Sequence, residues 1–430
     1  RYPAYKDSGV DWLGEVPAHW EVVRLNTTAT CNDEVLLEST AEDYEIEYVE
    51  ISGVQAGQGI TETATLPFGN APSRARRVVR DGDVLISTVR TYLRAIAQVK
   101  SPPENMIAST GFAVLRPRRI DSRFLGYACH AEGFVSEVIA RSVGVSYPAI
   151  NASELARLPI PLPTAPEQTA IATFLDRETA KIDALVAEQE RLIALLKEKR
   201  QAVISHAVTK GLDPSVPMMD SGVEWLGKVP AHWLIRPIKH VGRLKGGAGF
   251  PHSEQGVEGE ELCFYKVGSL GQSSSTGYLN ESENTISRET ASALGAFIFP
   301  KETLVFAKVG AALFLARVRA LPADACLDNN MMGLVVDETK HAPAFVRYAM
   351  TLVRFDLIAN PGAVPSLNEG QIGNFALAFP PSKAEQEAIA AFLDRATGQL
   401  EDLFAQAETV ISTLRERRTA LISAAVTGQI

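Results

Sequence analysis

Few residues in this chain of 430 are spaced for catalysis. Gly222-x-x-x-x-Gly227-Lys228 has the outline of a phosphate-binding loop, in which backbone N–H groups and a lysine cradle phosphate oxygens. Val229 stands where the magnesium-binding Ser or Thr belongs, and the matching earlier segment, Gly9 to Gly14, has Glu15 in place of the lysine. Neither segment follows a strand pattern, so the match reads as coincidence. No dinucleotide glycine fingerprint, HExxH or Ser/His/Asp arrangement occurs, and the seven histidines are scattered. His19 and His232 stand beside Trp20 and Trp233, where packing is a plainer role than chemistry. Asn329-Asn330 carries side-chain amides able to pair bidentately with adenine; a turn or strand edge would use the same residues. What remains is charge. Residues 21–73 carry ten acidic side chains and one basic, whereas residues 74–123 carry eleven basic and four acidic. A basic face is therefore available inside a chain of net charge −9. The net acidity argues against an indiscriminate grip on nucleic acid. A local cluster of arginines fits contact with an anion, or a solvated run.

The elements that must position these residues are written twice. Residues 7–20 read DSGVDWLGEVPAHW and residues 220–233 read DSGVEWLGKVPAHW, identical at twelve of fourteen positions and offset by 213. All four tryptophans, Trp12, Trp20, Trp225 and Trp233, lie in these boxes. EQTAIATFLDRETAKIDALV (167–186) is repeated as EQEAIAAFLDRATGQLEDLF (385–404), and LLKEKRQAVISHAVT (195–209) as TLRERRTALISAAVT (413–427). The order is box, variable region, long helix, then the same again. A unit built twice suits a target that itself has two halves.

The second repeat predicts a helix over about 165–209 and its twin. Thr164-x-x-Glu167 and Ser382-x-x-Glu385 have the form of capping boxes, each preceded by proline. Apolar residues recur at 3–4 spacing, Ile182, Leu185, Leu192, Leu196 and Val203, matched by Leu400, Leu403, Val410, Leu414 and Leu421. That is a coiled-coil seam, imperfect at Gln189/Ala407 and at Lys199/Arg417. At ~1.5 Å per residue each helix is about 65 Å long, so each needs a partner, and the twin is the obvious one. Cations near the helix ends, Lys197, Lys199 and Arg200, with Arg415, Arg417 and Arg418, complement the C-terminal dipole.

Length alone predicts two to four domains. The fold class expected is α+β: two α/β lobes joined by two long antiparallel helices, with an internal two-fold repeat. YEIEYVEI (44–51), GDVLIST (82–88) and GFAVLRP (111–117) read as strands of the first lobe; ELCFYKVGSL (261–270), ETLVFAKVG (302–310) and MMGLVVD (331–337) occupy similar places in the second. Tyr127-Ala128 aligns with Tyr348-Ala349, and Pro148-x-x-Asn151 with Pro365-x-x-Asn368. Polar positions differ: Glu50 faces Lys266, Thr88 faces Lys308 and Arg90 faces Gly310. One fold with two surface chemistries is what two readers of different sequences need, though drift between duplicated halves has the same look. No stretch approaches ~18 uninterrupted apolar residues, so no membrane span is expected. The opening RYPAYKDSG lacks the apolar core of a secretory signal, and Cys31, Cys129, Cys263 and Cys326 lie far apart with no C-x-x-C. A reducing cytoplasm is the expected setting.

The paired DSGV(D/E)WLGxVPAHW boxes and paired EQxAIAxFLDR…L(K/R)E(K/R)RxAxIS helices resemble, over the full chain, the specificity subunit of type I restriction–modification systems. The resemblance implies a non-catalytic DNA-recognition subunit of a multisubunit methyltransferase/endonuclease. Two target-recognition domains each read one half of a bipartite, asymmetric sequence in double-stranded DNA, and the helices set the gap. The boxes and helices dock two methyltransferase subunits, which bind S-adenosylmethionine and methylate adenine; motor/nuclease subunits using ATP and magnesium join them. No cofactor is implied for this chain itself.

On that basis the expected layout is an N-terminal box (1–20), recognition domain 1 (21–157), a first repeated region with its helix (158–219), a second box (220–233), recognition domain 2 (234–374) and a second repeated region (375–430). DNA-facing loops are expected at 49–54, 86–94 and 141–148, and at 265–270, 306–312 and 360–366. The candidates are Arg90, Tyr92, Arg94, Ser146 and Tyr147 in the first domain, and Lys266, Ser269, Lys308, Asn329 and Asn330 in the second. Arg74, Arg76 and Arg77 fit phosphate contact, which positions without specifying. Trp12, Trp20, Trp225, Trp233, Lys199 and Arg417 are candidates for partner docking. Near-circular symmetry places the C-terminal end near Arg1. Two alternatives share these features: a modification-only or phage-exclusion system, and a non-DNA coiled-coil scaffold. Neighbouring genes separate the first, and absence of salt-dependent DNA binding marks the second.

Overall fold

The structure is a computed structural model and describes residues 2–272, 277–280, 282–360 and 362–430. Arg1 and Pro361, which belong to the expected first box and the expected loop 360–366, lie outside the described residues. The chain divides into two compact units, Arg1–Glu190 with Thr409–Ile430, and Arg191–Glu408. Each unit holds one lobe and portions of both long helices.

Each box is a hairpin whose loop is built by its own side chains. Strand Tyr5–Asp7 pairs antiparallel with Glu15–Pro17, and Met218–Asp220 pairs with Lys228–Pro230 in the same register. Between them Asp7 accepts from the Gly9 N–H at 2.9 Å, and Ser8 Oγ accepts from the Val10 N–H at 3.1 Å; Asp220 and Ser221 repeat both bonds. Short polar side chains that bond their own backbone two residues on make such turns. The invariance of DSGV follows from that local chemistry.

The boxes seat on the ends of the long helices, Ala165–Lys210 and Lys383–Val426. The second helix is followed by Gly428 at φ +75°, whose carbonyl accepts from the Tyr5 hydroxyl at 2.7 Å, while the Gln429 amide donates to the Glu15 carbonyl at 2.8 Å. A Cβ at Gly428 would lie 2.5 Å from the Pro17 ring and 3.2 Å from Trp20. The first helix is followed by Gly211, also at φ +75°, where a Cβ would lie 3.4 Å from Trp233. Left-handed glycine is the ordinary way to stop a helix, and here it also lets an indole approach.

A carboxylate at the helix start holds each box from the other side. Glu167 accepts from Trp20 Nε1 at 3.3 Å, faces His19 Nε2 at 2.8 Å and accepts from the Thr164 N–H at 3.0 Å. Glu385 accepts from Trp233 Nε1 at 2.9 Å and faces His232 Nε2 at 3.1 Å. The expected capping box is thus half-formed at Thr164: the glutamate reaches back, but Thr164 Oγ1 donates to it at 2.6 Å instead of accepting from the backbone. The carboxylate serves the box as much as the helix. Burial pushes the Glu167 carboxyl up, but the hydrogen bonds from Thr164, His19 and Trp20 outweigh it and hold the group at about 2.

The next residues of the repeat bind the lobes. Gln168 accepts from the Asp121 N–H at 2.8 Å and donates to the Pro163 carbonyl at 2.8 Å; Gln386 does the same with Ala342 and Pro380, both at 2.9 Å. The Tyr127 hydroxyl donates to Asp176 at 2.8 Å, and Tyr348 to Asp394 at 2.7 Å. Glu-Gln-…-Asp is therefore a set of three attachments, to box, lobe backbone and lobe tyrosine.

The lobes share one strand order apart from an extra edge strand, Ala75–Val78, in the first. In the first, one antiparallel sheet orders Ile96–Gln98, Val84–Ser87, Phe112–Pro117 and Ala29–Cys31; a second orders Ala64–Pro67, Glu45–Val49, Met106–Ser109 and Ala75–Val78, with its middle pair parallel. In the second lobe the order is Arg319–Ala320, Leu304–Ala307, Met331–Val336 and Gly242–Gly246, beside Thr285–Ile286, Leu262–Tyr265 and Ala325–Leu327, again with a parallel pair. Strands Val84–Ser87 and Leu304–Ala307 are buried throughout, which is why both read as unbroken apolar runs.

The helix pair departs from the expected seam. Ile182, Leu196 and Leu400 are buried, but Leu185, Leu192, Leu403 and Val410 stay exposed, and Ala407 and Ile411 are buried beside them. Two helices share only one mutual face, narrower than the stripe the sequence carries. In the first unit Arg418 pairs with Asp183 at 2.8 Å and Arg415 with Glu190 at 3.0 Å, so partners rise on one helix as they fall on the other. In the second unit Arg200 pairs with Glu401 at 3.7 Å, the repeat mates of Arg418 and Asp183. The long helices therefore run antiparallel.

Two predictions follow from the seating of the boxes. Joining residue 430 to residue 1 and opening the chain within 213–217 leaves a folded protein, with a circular dichroism melting curve within a few degrees of the parent; a permutant that does not fold contradicts the seating. Second, Glu167 is a carboxylate with a depressed folded value, so its stabilisation is complete above ~4.5 and is lost as pH falls from there toward 2. Partial exposure limits the effect to about 1–2 kcal/mol. The gap in urea midpoint between the parent and Glu167→Gln narrows from pH 6 to pH 3; a gap constant with pH refutes the assignment.

Candidate nucleic-acid interface

In both lobes the loops that follow equivalent strands are tied to the same neighbours by backbone hydrogen bonds. The Thr88 N–H donates to the Gly111 carbonyl at 2.8 Å and its own carbonyl accepts from Ile150 at 2.9 Å. Lys308 donates to Asn330 and accepts from Leu367, both at 2.8 Å. Two residues on, the Arg90 N–H donates to the Pro148 carbonyl at 2.7 Å, and Gly310 to Pro365 at 2.8 Å. The pairings Thr88/Lys308, Arg90/Gly310 and Pro148/Pro365 read from sequence are thus the same backbone positions. Because main-chain groups hold the corner, its side chains are free to differ.

In the first lobe, loops 86–94 and 141–148 meet. Thr91 Oγ1 and Ser142 Oγ share a hydrogen bond of 2.7 Å, and the Arg90 guanidinium lies 4.6 Å over the Tyr147 ring. Arg90, Tyr92, Ser146 and Tyr147 are exposed. Arg94 is exposed but forked onto Glu132 through two bonds of 2.6 and 2.7 Å. Loop 49–54 joins the same surface through Gly111, where a Cβ would lie 2.5 Å from Ile51.

The expected basic face is largely cancelled. Arg74 is bonded to Glu50. Arg80 pairs with Glu34 at 2.5 Å, Arg118 with Asp33 at 2.8 Å, and Arg116 with Asp83 and Glu34, both at 2.9 Å. The acidic run 21–73 and the basic run 74–123 fold against each other, so opposite blocks in the sequence become pairs in space. Arg74 and Arg94, both expected to face DNA, each hold a carboxylate that a DNA phosphate would have to displace. Arg76 stacks 4.8 Å over Phe68 and donates to the Ala75 carbonyl at 3.0 Å, and Arg77 is half-buried with its Nε unpaired among the described residues.

In the second lobe Lys266, Lys308 and Asn330 gather around Asp328. Burial pushes the Asp328 carboxyl up, against the pull of Asn330, Lys266 and Lys308. Asp328 accepts from the Asn330 N–H at 2.8 Å, so Asn330 belongs to a turn, the plainer of its two expected uses. Lys266 donates to Gln255 at 2.6 Å and lies 5.3 Å over Phe250. Asn329 is exposed and Ser269 half-buried.

Residues 17–193 match the family model described as type I restriction modification DNA specificity domain. The chain is similar to the specificity subunits of type I restriction–modification systems. The StySPI specificity subunit of Salmonella potsdam is 19% identical over 421 residues, 92% of this chain and 84% of that one. The MjaVIII specificity subunit of Methanocaldococcus jannaschii is 25% identical over 187 residues, and the putative MjaX subunit 24% over 264. The chain spans 44% and 60% of the length of those two relatives. A chain from a structure of type I R-M complex assembly and conformational transition gives a TM-score of 0.70 at 21% identity, covering 96% of this chain and 99% of that one. The HsdS subunit from Thermoanaerobacter tengcongensis gives 0.50 at 22%, covering 96% and 98%. At these identities the structural likeness establishes the fold.

Within this fold the tryptophans divide. Trp20 and Trp233, expected at a partner surface, are 0% and 1% exposed and lie in the core. Trp12 packs edge-on to Phe134 at 6.2 Å, and Trp225, 36% exposed, lies 5.1 Å from Phe375. Lys199 and Arg417 are exposed on the helices. Sequence reasoning missed the apolar tips of the loops: Leu93, Val143 and Val145 in the first lobe, Phe314, Leu315 and Val364 in the second, all exposed. Two valines flanking a glycine in SVGVSYP (142–148) were the available signal.

Arg76 is the member of the 74–77 cluster with an aromatic seat and no carboxylate partner among the described residues. Arg76→Ala is expected to weaken binding to all duplex sequences alike and to lower the slope of log K against log salt by about one. Binding titrations at 50–200 mM salt check this, and an unchanged slope removes Arg76 from the contacts.

Proposed function

We propose that this chain is the non-catalytic specificity subunit of a type I restriction–modification complex. Residues 21–157 and 234–374 are assigned as recognition domains, each reading one half of a bipartite, asymmetric double-stranded DNA sequence. The observation that carries this reading is one backbone corner built twice with different side chains: Thr88, Arg90 and Tyr147 in one lobe, Lys308, Gly310 and Val364 in the other. Two readers of different half-sites need a corner that is rigid in its main chain and different in its side chains.

The repeated boxes and helices are assigned to docking two methyltransferase subunits, with S-adenosylmethionine bound there, and to setting the gap between half-sites. Support comes from the exposed apolar residues of the long helices. Leu185 and Leu403 are repeat mates, as are Leu192 and Val410, and all four remain exposed. A surface patch that occurs twice suits two copies of one partner. Motor/nuclease subunits using ATP would join that core. Among the described residues no helix is long and apolar enough to cross a membrane.

Methylome sequencing of cells expressing this chain with the methyltransferase encoded beside it is expected to give a bipartite, asymmetric motif with N6-methyladenine in each half. An assembled complex without any motif would overturn the proposal in favour of a scaffold.

A further inference from the structure

We infer that Arg90 reads a guanine in the half-site of the first lobe, with Tyr147 as its positioning residue. The inference rests on the DNA-recognition reading above and deepens it. Three arginines lie around this corner. Arg94 is forked onto Glu132, and Arg141 is held by Glu137 at 2.6 Å. Arg90 has no ion pair among the described residues, and it is the one stacked on an aromatic ring.

Stacking decides what the guanidinium can do. A planar cation lying over a ring keeps its N–H groups directed outward in its own plane. That fork matches two acceptors side by side, and in the major groove guanine O6 and N7 are such a pair. A phosphate needs no such orientation and is ordinarily met by clustered cations and backbone N–H groups. The surroundings of Arg90 are of another kind. Its exposed neighbours along the two loops are Tyr92, Leu93, Val143, Val145 and Tyr147, which offer apolar and aromatic surface suited to base edges.

The backbone supports the same conclusion. Arg90 sits at φ +53°, in the left-handed region where side chains other than Gly, Asn and Asp are disfavoured. The equivalent residue of the second lobe is Gly310, also at positive φ, +82°. The two differ in ψ, +48° at Arg90 against −176° at Gly310, so the left-handed turn belongs to the first lobe alone and an arginine adopts it there against its preference. The bond to Pro148, the Thr88 bonds to Gly111 and the Thr91–Ser142 bond fix the position. An arginine held at its backbone, seated over a ring and without an ion pair among the described residues is arranged to form directional bonds.

The test uses the full chain assembled with its methyltransferase and selects bound duplexes from a randomised library. The parent is expected to select a motif with a guanine in one half-site. Arg90→Ala and Arg90→Lys lose preference at that single position by roughly ten- to a hundredfold and keep every other position. Tyr147→Ala weakens preference at the same position, and Tyr147→Phe, which keeps the ring, restores it. If Arg90→Ala weakens all sequences equally and lowers the salt slope with the motif unchanged, Arg90 is a phosphate contact and the inference fails. If motif and affinity are both unchanged, it fails also. A parent that selects no motif refutes the recognition reading itself, before the variants are compared.

Discussion

The structure depends on the hydrogen bond between a carboxylate and an indole. Glu167 and Glu385 each accept from a buried tryptophan Nε1 that would otherwise be orphaned. Burying an indole removes about 150–250 Å² from water, roughly 4–6 kcal/mol, provided its one donor finds a partner. The partner comes from the first turn of a helix, where a negative charge is favoured by the dipole. One glutamate therefore joins the box to the helix start, while the adjacent glutamine and the aspartate of the same repeat join the lobe. The spacing of the three along the helix is invariant in the two copies because each has a fixed client.

This explains which parts were legible in sequence. The boxes, the helices and their order were legible because several repeated residues have a local or repeat-matched partner: Asp7 and Ser8 make their own turn, and Glu167, Gln168 and Asp176 hold theirs. Strands such as Val84–Ser87 were legible as apolar runs. The pairing of Thr88 with Lys308 could be read too, since the flanking apolar residues kept their register. What could not be read was the fate of charge. Arg74 and Arg94 look available in a list of residues, yet Glu50 and Glu132 reach them from segments 24 and 38 residues away. Ion pairing at that range is decided by sheet order and turn direction, neither of which leaves a mark in composition. The place of the tryptophans was hidden for a related reason: repetition marks Trp20 and Trp233 without showing that both are held inside.

The helix pair shows the same limit. Period alone placed a seam through Leu185 and Leu192 and through their mates, but period counts apolar residues without counting the surfaces available to cover them. The arginine–carboxylate pairs beside the seam, Arg418–Asp183 and Arg200–Glu401, set the direction of packing and leave a surplus apolar edge on each helix. In a duplicated chain such an edge necessarily appears twice.

The division of labour between main chain and side chain then accounts for how one fold accommodates two chemistries. At the corner after the strands Val84–Ser87 and Leu304–Ala307, the backbone N–H and C=O of Thr88 and of Lys308 find equivalent partners, so the ladder is satisfied whatever the side chain is. Substitution there costs the fold little, because no buried polar group is orphaned by it. The opposite holds at Glu167 or Gln168, where removal of a side chain strands an indole N–H or a backbone N–H. Strong coupling preserves the repeats, and its absence at the corner lets the two lobes diverge. The surfaces free to change are those that a pair of independent readers would need to change.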